Sequence, residues 1–443
     1  MTQSPRRLAA ASLALAATFA ASPAFAQTSS VAAKIDTGDT AWMIGATGLV
    51  LMMTIPGLAL FYAGMVRKKN VLATMAQSLA ATFLVSILWA LIGYSLAFTG
   101  DGAFIGTLER AFLNGVTLDA VSPFAKTIPE SIFMIYQMTF AVITVALVAG
   151  SVADRLRFSA FLLFCVFWLL LVYVPIAHWV WGGGFLGSYG VIDFAGGTVV
   201  HLNAGIAGLV AAYVLGPRRG YGSENLAPYD LTLAVIGTGL LWVGWFGFNG
   251  GSALGANSRA AMAIVSTHLA ASAGAFTWMA LEWWERGKPS VLGMISGAVA
   301  GLGTITPASG FVLPMQGILI GIIAGTICYW ACTRLKLKIG YDDSLDVFGV
   351  HGIGGFTGTL LAGVFAVGAL SVSPETPGGI HGLLEGNPHQ LVAQIYGIAV
   401  TLVWSGALTF IILKVIGAIS PLRVKHEEEV MGLDVSLHGE AIQ

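Results

Sequence analysis

The chain has 443 residues, of which 56% are hydrophobic and 10% charged, with a formal net charge of −1. An ordinary soluble protein is roughly 25% charged, so this is the composition of a polytopic membrane protein, and no basic block precedes the C-terminal tail to serve a nucleic-acid partner. The three cysteines, Cys165, Cys328 and Cys332, all lie in apolar runs, which argues against a disulfide framework.

The first element reads as a processed segment. Arg6 and Arg7 precede an apolar run from Leu8 to Phe19, and Ala24-Phe25-Ala26 stands before Gln27. A short apolar region followed by a small-x-small site is a secretory signal peptide, so residues 1–26 are excluded from the fold and the mature N-terminus is expected outside.

Crossing about 30 Å of hydrocarbon takes roughly 20 apolar residues. Runs of that kind occur near 42–65, 72–98, 131–153, 159–181, 195–215, 230–250, 259–284, 291–309, 312–333, 346–369 and 391–417. The expected fold is therefore an all-α polytopic membrane protein of about eleven transmembrane helices. Basic residues test the count: Arg67 to Lys69, Arg155 and Arg157, Arg218 and Arg219, Arg286 and Lys288, Arg334 to Lys338, and Arg423 with Lys425 follow the odd-numbered runs. The positive-inside rule makes those ends cytoplasmic, giving N-out and C-in. Residues 27–420 form the transmembrane domain on this reading, and residues 421–443 a cytoplasmic tail.

The fifth run opens with Asp193-Phe-Ala-Gly-Gly-Thr-Val-Val-His201-Leu-Asn-Ala-Gly-Ile-Ala-Gly208, and the tenth with Asp343-Ser-Leu-Asp-Val-Phe-Gly-Val-His351-Gly-Ile-Gly-Gly-Phe-Thr-Gly358. Both place the histidine eight residues after the acid (201 − 193 = 351 − 343 = 8), with small residues following at matching places. Five spans per half is an odd number, so the second half enters from the opposite side. That is the pattern of an inverted repeat, spans 1–5 and 6–10 plus an eleventh helix, with a site near the midplane. One histidine in a span is ordinarily a packed residue, but two at equivalent places form an ionisable pair, by default functional in a membrane. The acids at span starts read as helix caps, with Asp193 also a long-range electrostatic aid on the outer side.

Three spans bring aromatic residues to that same side: Trp181 from the fourth, Tyr136 and Phe140 from the third, Trp245 and Phe248 from the sixth, followed by Ser252. An interfacial aromatic belt explains scattered rings such as Trp42 and Trp404. A cage of rings with one acceptor would instead attract a small cation.

These motifs resemble the Amt/MEP/Rh ammonium transporters, in their bacterial Amt branch. The Asp193–Gly208 segment with Gly216-Pro-Arg218 is similar to the family signature; Thr54–Tyr62, Ala153–Ser159, Gly244–Asn249 and Asp346–Gly352 resemble further blocks. The resemblance runs from about residue 40 to Gly439. It implies a homotrimer in the bacterial inner membrane, multi-pass and in contact with lipid, with one pore per subunit for ammonium or ammonia and for methylammonium. It places the outer recruitment site at Trp181, Ser252 and Phe140, supported by Asp193; the phenyl gate at Phe140 and Phe248; and the twin histidines of the pore at His201 and His351. Tyr136 stands where the family commonly has Phe, and is taken as a further member of the outer cage. The tail segment Glu427-Glu-Glu-Val-Met-Gly-Leu-Asp434 is similar to the family segment that docks PII-type signalling proteins.

No enzyme, cofactor or metal centre is expected. Zinc takes three or four ligands, and no His-x-x-x-His or nearby carboxylate completes a set around the two histidines. Cys328 and Cys332, one helical turn apart, read as packed thiols. The rival to transport is an ammonium sensor of the same fold, whose usual mark is an appended signalling domain.

Overall fold

In lipid every backbone N–H and C=O must be satisfied within the protein, and a helix does this segment by segment. The computed structural model describes residues 34–374 and 376–442; the expected signal peptide at residues 1–26 lies outside the described residues. Among the described residues ten helices are long and apolar enough to cross a membrane. They are α1 (Thr37–Met65), α2 (Lys68–Phe98), α3 (Glu130–Val152), α4 (Phe158–Tyr189), α5 (Gly197–Leu215), α6 (Leu231–Gly251), α7 (Ser258–Arg286), α9 (Pro314–Ile339), α10 (Phe348–Phe365) and α11 (Pro388–Ile419). The shorter apolar α8 (Val291–Ile305) completes the eleven.

The helix starts follow from local chemistry. Asp230 accepts from the backbone N–H of Thr232 and Leu233, Asn257 from Ala260, and Ser290 from Gly293, each meeting amides that the first turn leaves open. Pro314 and Pro388 stand in the first turns of α9 and α11, where no N–H is needed. Inside α1, Ile55 leaves helical geometry (φ −130°, ψ 110°) because it precedes Pro56.

The two histidine-bearing helices share one backbone plan. Each opens with a π-helical turn, Gly197–Leu202 or Phe348–Gly352, followed by thirteen α-helical residues, Asn203–Leu215 or Ile353–Phe365. They run antiparallel. Arg218, just past the end of α5, pairs with Asp342, just before the start of α10, at 2.8 Å. The helices cross backbone to backbone: a Cβ on Gly205 would stand 2.2 Å from Gly352 Cα, and one on Gly355 would stand 2.6 Å from Leu202 N. Only glycine permits this approach. α8 packs on α7 in the same way, since a Cβ on Gly301 would lie 2.4 Å from Ala270 O.

The basic span ends gather at one end of the bundle, tied together by the tail. Arg157 N–H donates to Leu422 O and Val424 N–H to Arg155 O. A short helix, α12 (His426–Met431), presents Glu429, which accepts from Arg423 at 2.8 Å and from Arg219 N–H at 2.7 Å. Asp434 then accepts from Ala73 N–H in the first turns of α2, and Asn70 Oδ1 from Leu433 N–H. This is the inner end by the positive-inside rule.

Candidate transport site

At the opposite, outer end a cavity of about 270 Å³ opens among α3, α4 and α6 and the connections beside them. Phe140, Trp181 and Ser252 line it, joined by Phe98, Phe124, Phe133, Gln137, Val180, Phe194 and Leu254. Trp181 stands edge-on to Phe140 with ring centroids 5.8 Å apart, and its indole N–H donates to Asp193 O at 2.8 Å. Ser252 donates its hydroxyl to Phe248 O at 2.8 Å, which leaves oxygen lone pairs on a side chain of the cavity wall.

One expected member of the cage, Tyr136, stands elsewhere, and the supporting Asp193 acts as a cap. Tyr136 is 1% exposed and does not line the cavity. Its ring lies behind Phe140, and its hydroxyl reaches Phe248 O at 2.9 Å and Gly247 O at 3.0 Å. The reason is positional: its hydroxyl meets carbonyls in the last turn of α6, where the helix runs out of its own N–H donors. The Asp193 side chain is likewise absent from the wall. Its carboxylate accepts from the N–H groups of Gly196, Gly197, Thr198 and Val199 and from the Thr198 hydroxyl, all within 2.6–3.1 Å. It caps α5, and touches the cavity only by holding Trp181 through its own carbonyl.

Below the cavity Phe140 and Phe248 stack with centroids 4.2 Å apart and planes inclined by 29°. Both are buried. Phe140 lines the outer cavity and Phe248 the next space inward, so the stacked pair stands between them.

That inner space is about 10 Å³, on the order of one water-sized solute. Its walls are apolar except for the histidines: Met53, Leu58, Phe61, Ile143, Leu147, Val200, Leu241, Trp245 and Val299 surround His201 and His351. The Nδ1 atoms of the two rings stand 3.2 Å apart, with planes 12° from parallel. Trp245 stacks on His201 at 5.5 Å and is fixed by its N–H bond to Thr306 Oγ1. Gly303 of α8 faces both imidazoles, at distances that put a Cβ within 3.8–3.9 Å of each. His201 Nε2 is buried without a protein partner.

Contact between two Nδ1 atoms restricts the protons. One ring carries hydrogen on Nδ1 and the other accepts there, so one Nε2 is an acceptor and the other a donor when both are neutral. The pair therefore offers a small molecule in this space both polarities.

His351 also lines a wider inner cavity of about 750 Å³ that shares Phe61 and Val299 with the narrow space. Its far wall is charged, with Arg218, Glu282, Arg286, Lys336 and Asp346. Burial pushes the Asp342 carboxyl up, but the hydrogen bonds and charge of Arg218 outweigh it and hold the group below its ordinary range. Among the described residues no cluster of three or more His, Cys, Asp or Glu has the arrangement of a metal site. Cys328 Sγ lies 3.8 Å from Val350 O, packed against α10.

Gln137 lines the outer cavity, as do five residues outside the quoted motifs: Phe98, Phe124, Phe133, Val180 and Leu254. For the rings among them the signal is aromatic richness near span ends. The inner cavity is marked in the sequence by His351 and by the basic span ends Arg218, Arg286 and Lys336 that line it.

A multi-pass bundle with an outer aromatic cavity, a closed ring stack and a narrow histidine-lined space is the architecture of a membrane transporter for a small solute. Residues 41–442 match the Ammonium Transporter Family. The chain is 49% identical over 403 residues to the ammonium transporter of Bacillus subtilis, covering 91% of this chain and 98% of that one. Among solved structures it is similar to Candida albicans Mep2, with a TM-score of 0.83, 38% identity, and coverage of 89% and 88% of the two chains. It is also similar to a structure described as a sensor Amt protein, with a TM-score of 0.82, 29% identity, and coverage of 90% and 98%. The chain belongs to the ammonium transporter family, a family of transporters rather than enzymes.

Proposed function

We propose that the chain takes up ammonium by binding the cation at the outer cavity, removing its proton, and passing ammonia along the two histidines. The single observation that carries this reading is the pair His201 and His351, Nδ1 to Nδ1 at 3.2 Å, inside an otherwise apolar space below the phenyl stack.

The energetics set the order of events. Burying an unpaired ion in a medium of low dielectric costs on the order of tens of kcal/mol. Each aromatic face returns about 0.5–2 kcal/mol. Trp181 and Phe140 with Ser252 therefore suffice to gather and partly dehydrate a cation, and fall far short of carrying it through. Buried amines respond by losing proton affinity, by up to about 3–5 pKa units, so the proton passes to solvent water at the outer cavity before the resulting ammonia passes Phe140 and Phe248. The neutral molecule then meets an acceptor and a donor on the histidine rings and leaves through the wide inner cavity. Asp193 acts from behind, fixing Trp181 and the start of α5. Methylammonium, one carbon larger, is the accompanying substrate, and the histidine pair is also the route by which the proton could follow.

The assembly is read as a homotrimer in the bacterial inner membrane, supported by the family membership and the ten membrane-length helices. The tail is read as the docking segment for a PII-type protein, supported by its seat on the basic inner ends through Glu429 and Asp434. A sensing role is the second reading, favoured by the likeness to the sensor Amt structure.

The test is flux in proteoliposomes of the purified chain. The wild type is expected to accumulate methylammonium down an imposed gradient, and the double variant His201→Ala/His351→Ala to lose deprotonation-coupled uptake. Unchanged uptake in the double variant would remove the histidines from the mechanism. Binding without flux in the wild type would favour the sensor.

A further inference from the structure

Tyr136 is the residue whose place departs most from its sequence reading. Its phenol is buried, and it spans two helices. On α3 it stands one turn before Phe140, with ring centroids 5.0 Å apart. On α6 its hydroxyl sits 2.9 Å from Phe248 O, 3.0 Å from Gly247 O and 3.3 Å from Ser252 Oγ. The backbone leaves room for it on purpose: a Cβ at Gly251 would stand 2.6 Å from the phenol oxygen.

The carbonyl of Phe248 lies in the last turn of α6, and Ser252 N–H bonds to Asn249 O instead of to it. It is satisfied from the side, by the hydroxyls of Ser252 and Tyr136. The hydroxyl of Tyr136 is therefore a strut between the backbone carrying one gate ring and the helix carrying the other.

We infer that Tyr136 is a positioning residue that limits how far the Phe140–Phe248 stack opens, and so sets the size of solute admitted. A ring can turn aside by rotating about its own side-chain bonds. A larger solute also needs the end of α6 to move away from α3, and the strut resists only that second motion. Its loss should help methylammonium more than ammonium. Ser252 keeps its own bond to Phe248 O, so recruitment of the cation is not the step affected.

This inference rests on the gate reading above, and the experiment separates the two. In proteoliposomes, ammonium and methylammonium flux would be measured for wild type and Tyr136→Phe, which deletes only the hydroxyl. The expected result is a methylammonium-to-ammonium rate ratio higher by about threefold to tenfold, the range of one buried hydrogen bond, with the ammonium KM changed less than twofold. The same rise is expected in a Ser252→Ala background. Gly251→Ala, which crowds the hydroxyl by another route, is the second variant and should raise the same ratio. An unchanged ratio in folded, monodisperse Tyr136→Phe would overturn the inference, as would a raised ammonium KM that vanishes in the Ser252→Ala background. A wild type that moves neither solute would instead overturn the transport reading.

Discussion

α5 and α10 have the same backbone and different chemistry. Both begin with a π-turn that carries a histidine, yet the acids ahead of them are held in opposite ways. Asp193 meets five donors. Asp343 accepts from Phe348 N–H, while its Oδ1 is buried without a partner. One carboxylate organises a helix start; the other is a charge kept at some cost. Repetition of a motif thus preserves geometry, while each acid serves its own end: the carboxylate of Asp193 holds the start of α5 and its carbonyl fixes Trp181 beside the outer cavity, whereas Asp343 lies buried with its own carbonyl accepting from Lys336.

The largest effect that tests this contrast is on folding. Asp193→Ala strands four backbone N–H groups, each costing about 1–3 kcal/mol when buried and unmet, against a typical total stability of about 5–15 kcal/mol. The expected outcome is loss of monodisperse protein on size-exclusion chromatography in detergent. A variant that purifies and melts like wild type would refute the capping role.

Next in size is the contrast between the histidines. Each Nδ1 depends on the other, so His201→Ala and His351→Ala singly should each reduce deprotonation-coupled flux by about 100-fold, the scale of a positioned proton-transfer group, and to within about threefold of one another. Initial-rate uptake measures this. A tenfold difference would show that the halves are inequivalent at the centre as well as at the ends.

The smallest effect is that of Asp343→Asn. Burial raises the carboxyl above its ordinary range, Lys336 opposes the shift and Asp346 adds to it. A raised folded value means that the fold favours the neutral acid. That advantage is full below about pH 4, the unfolded value, and is lost as pH rises through the folded one. Asp343→Asn should therefore match wild type in thermal stability near pH 4 and gain on it toward pH 7. A variant that loses ground as pH rises would assign Asp343 an ionised, stabilising role like that of Asp193.

The sequence carried much of this. Span count, side and the Asp-to-His interval follow from hydrophobic length, charge placement and spacing, quantities that a chain shows without its partners. The cavity walls do not. Tyr136 and Phe140 are both aromatic and one turn apart on α3, and only the packing of α6 decides that the first faces a helix end and the second a cavity. Gln137 lines the cavity because of the same rotation. The tail contacts are invisible for a different reason: Asp434 caps α2 across 361 positions of sequence, and no local pattern encodes such a pairing.

The glycine crossing of α5 and α10 has a mechanical meaning. Where Gly205 lies on Gly352 there is no side chain to compress, so the spacing of the two imidazoles is gauged by main chain against main chain. Bilayers differ in thickness by several ångströms, and helices adjust by tilting. A tilt of a long peripheral helix such as the 32-residue α11 leaves that main-chain spacing unchanged, so the separation of the two imidazoles is insulated from the surrounding lipid.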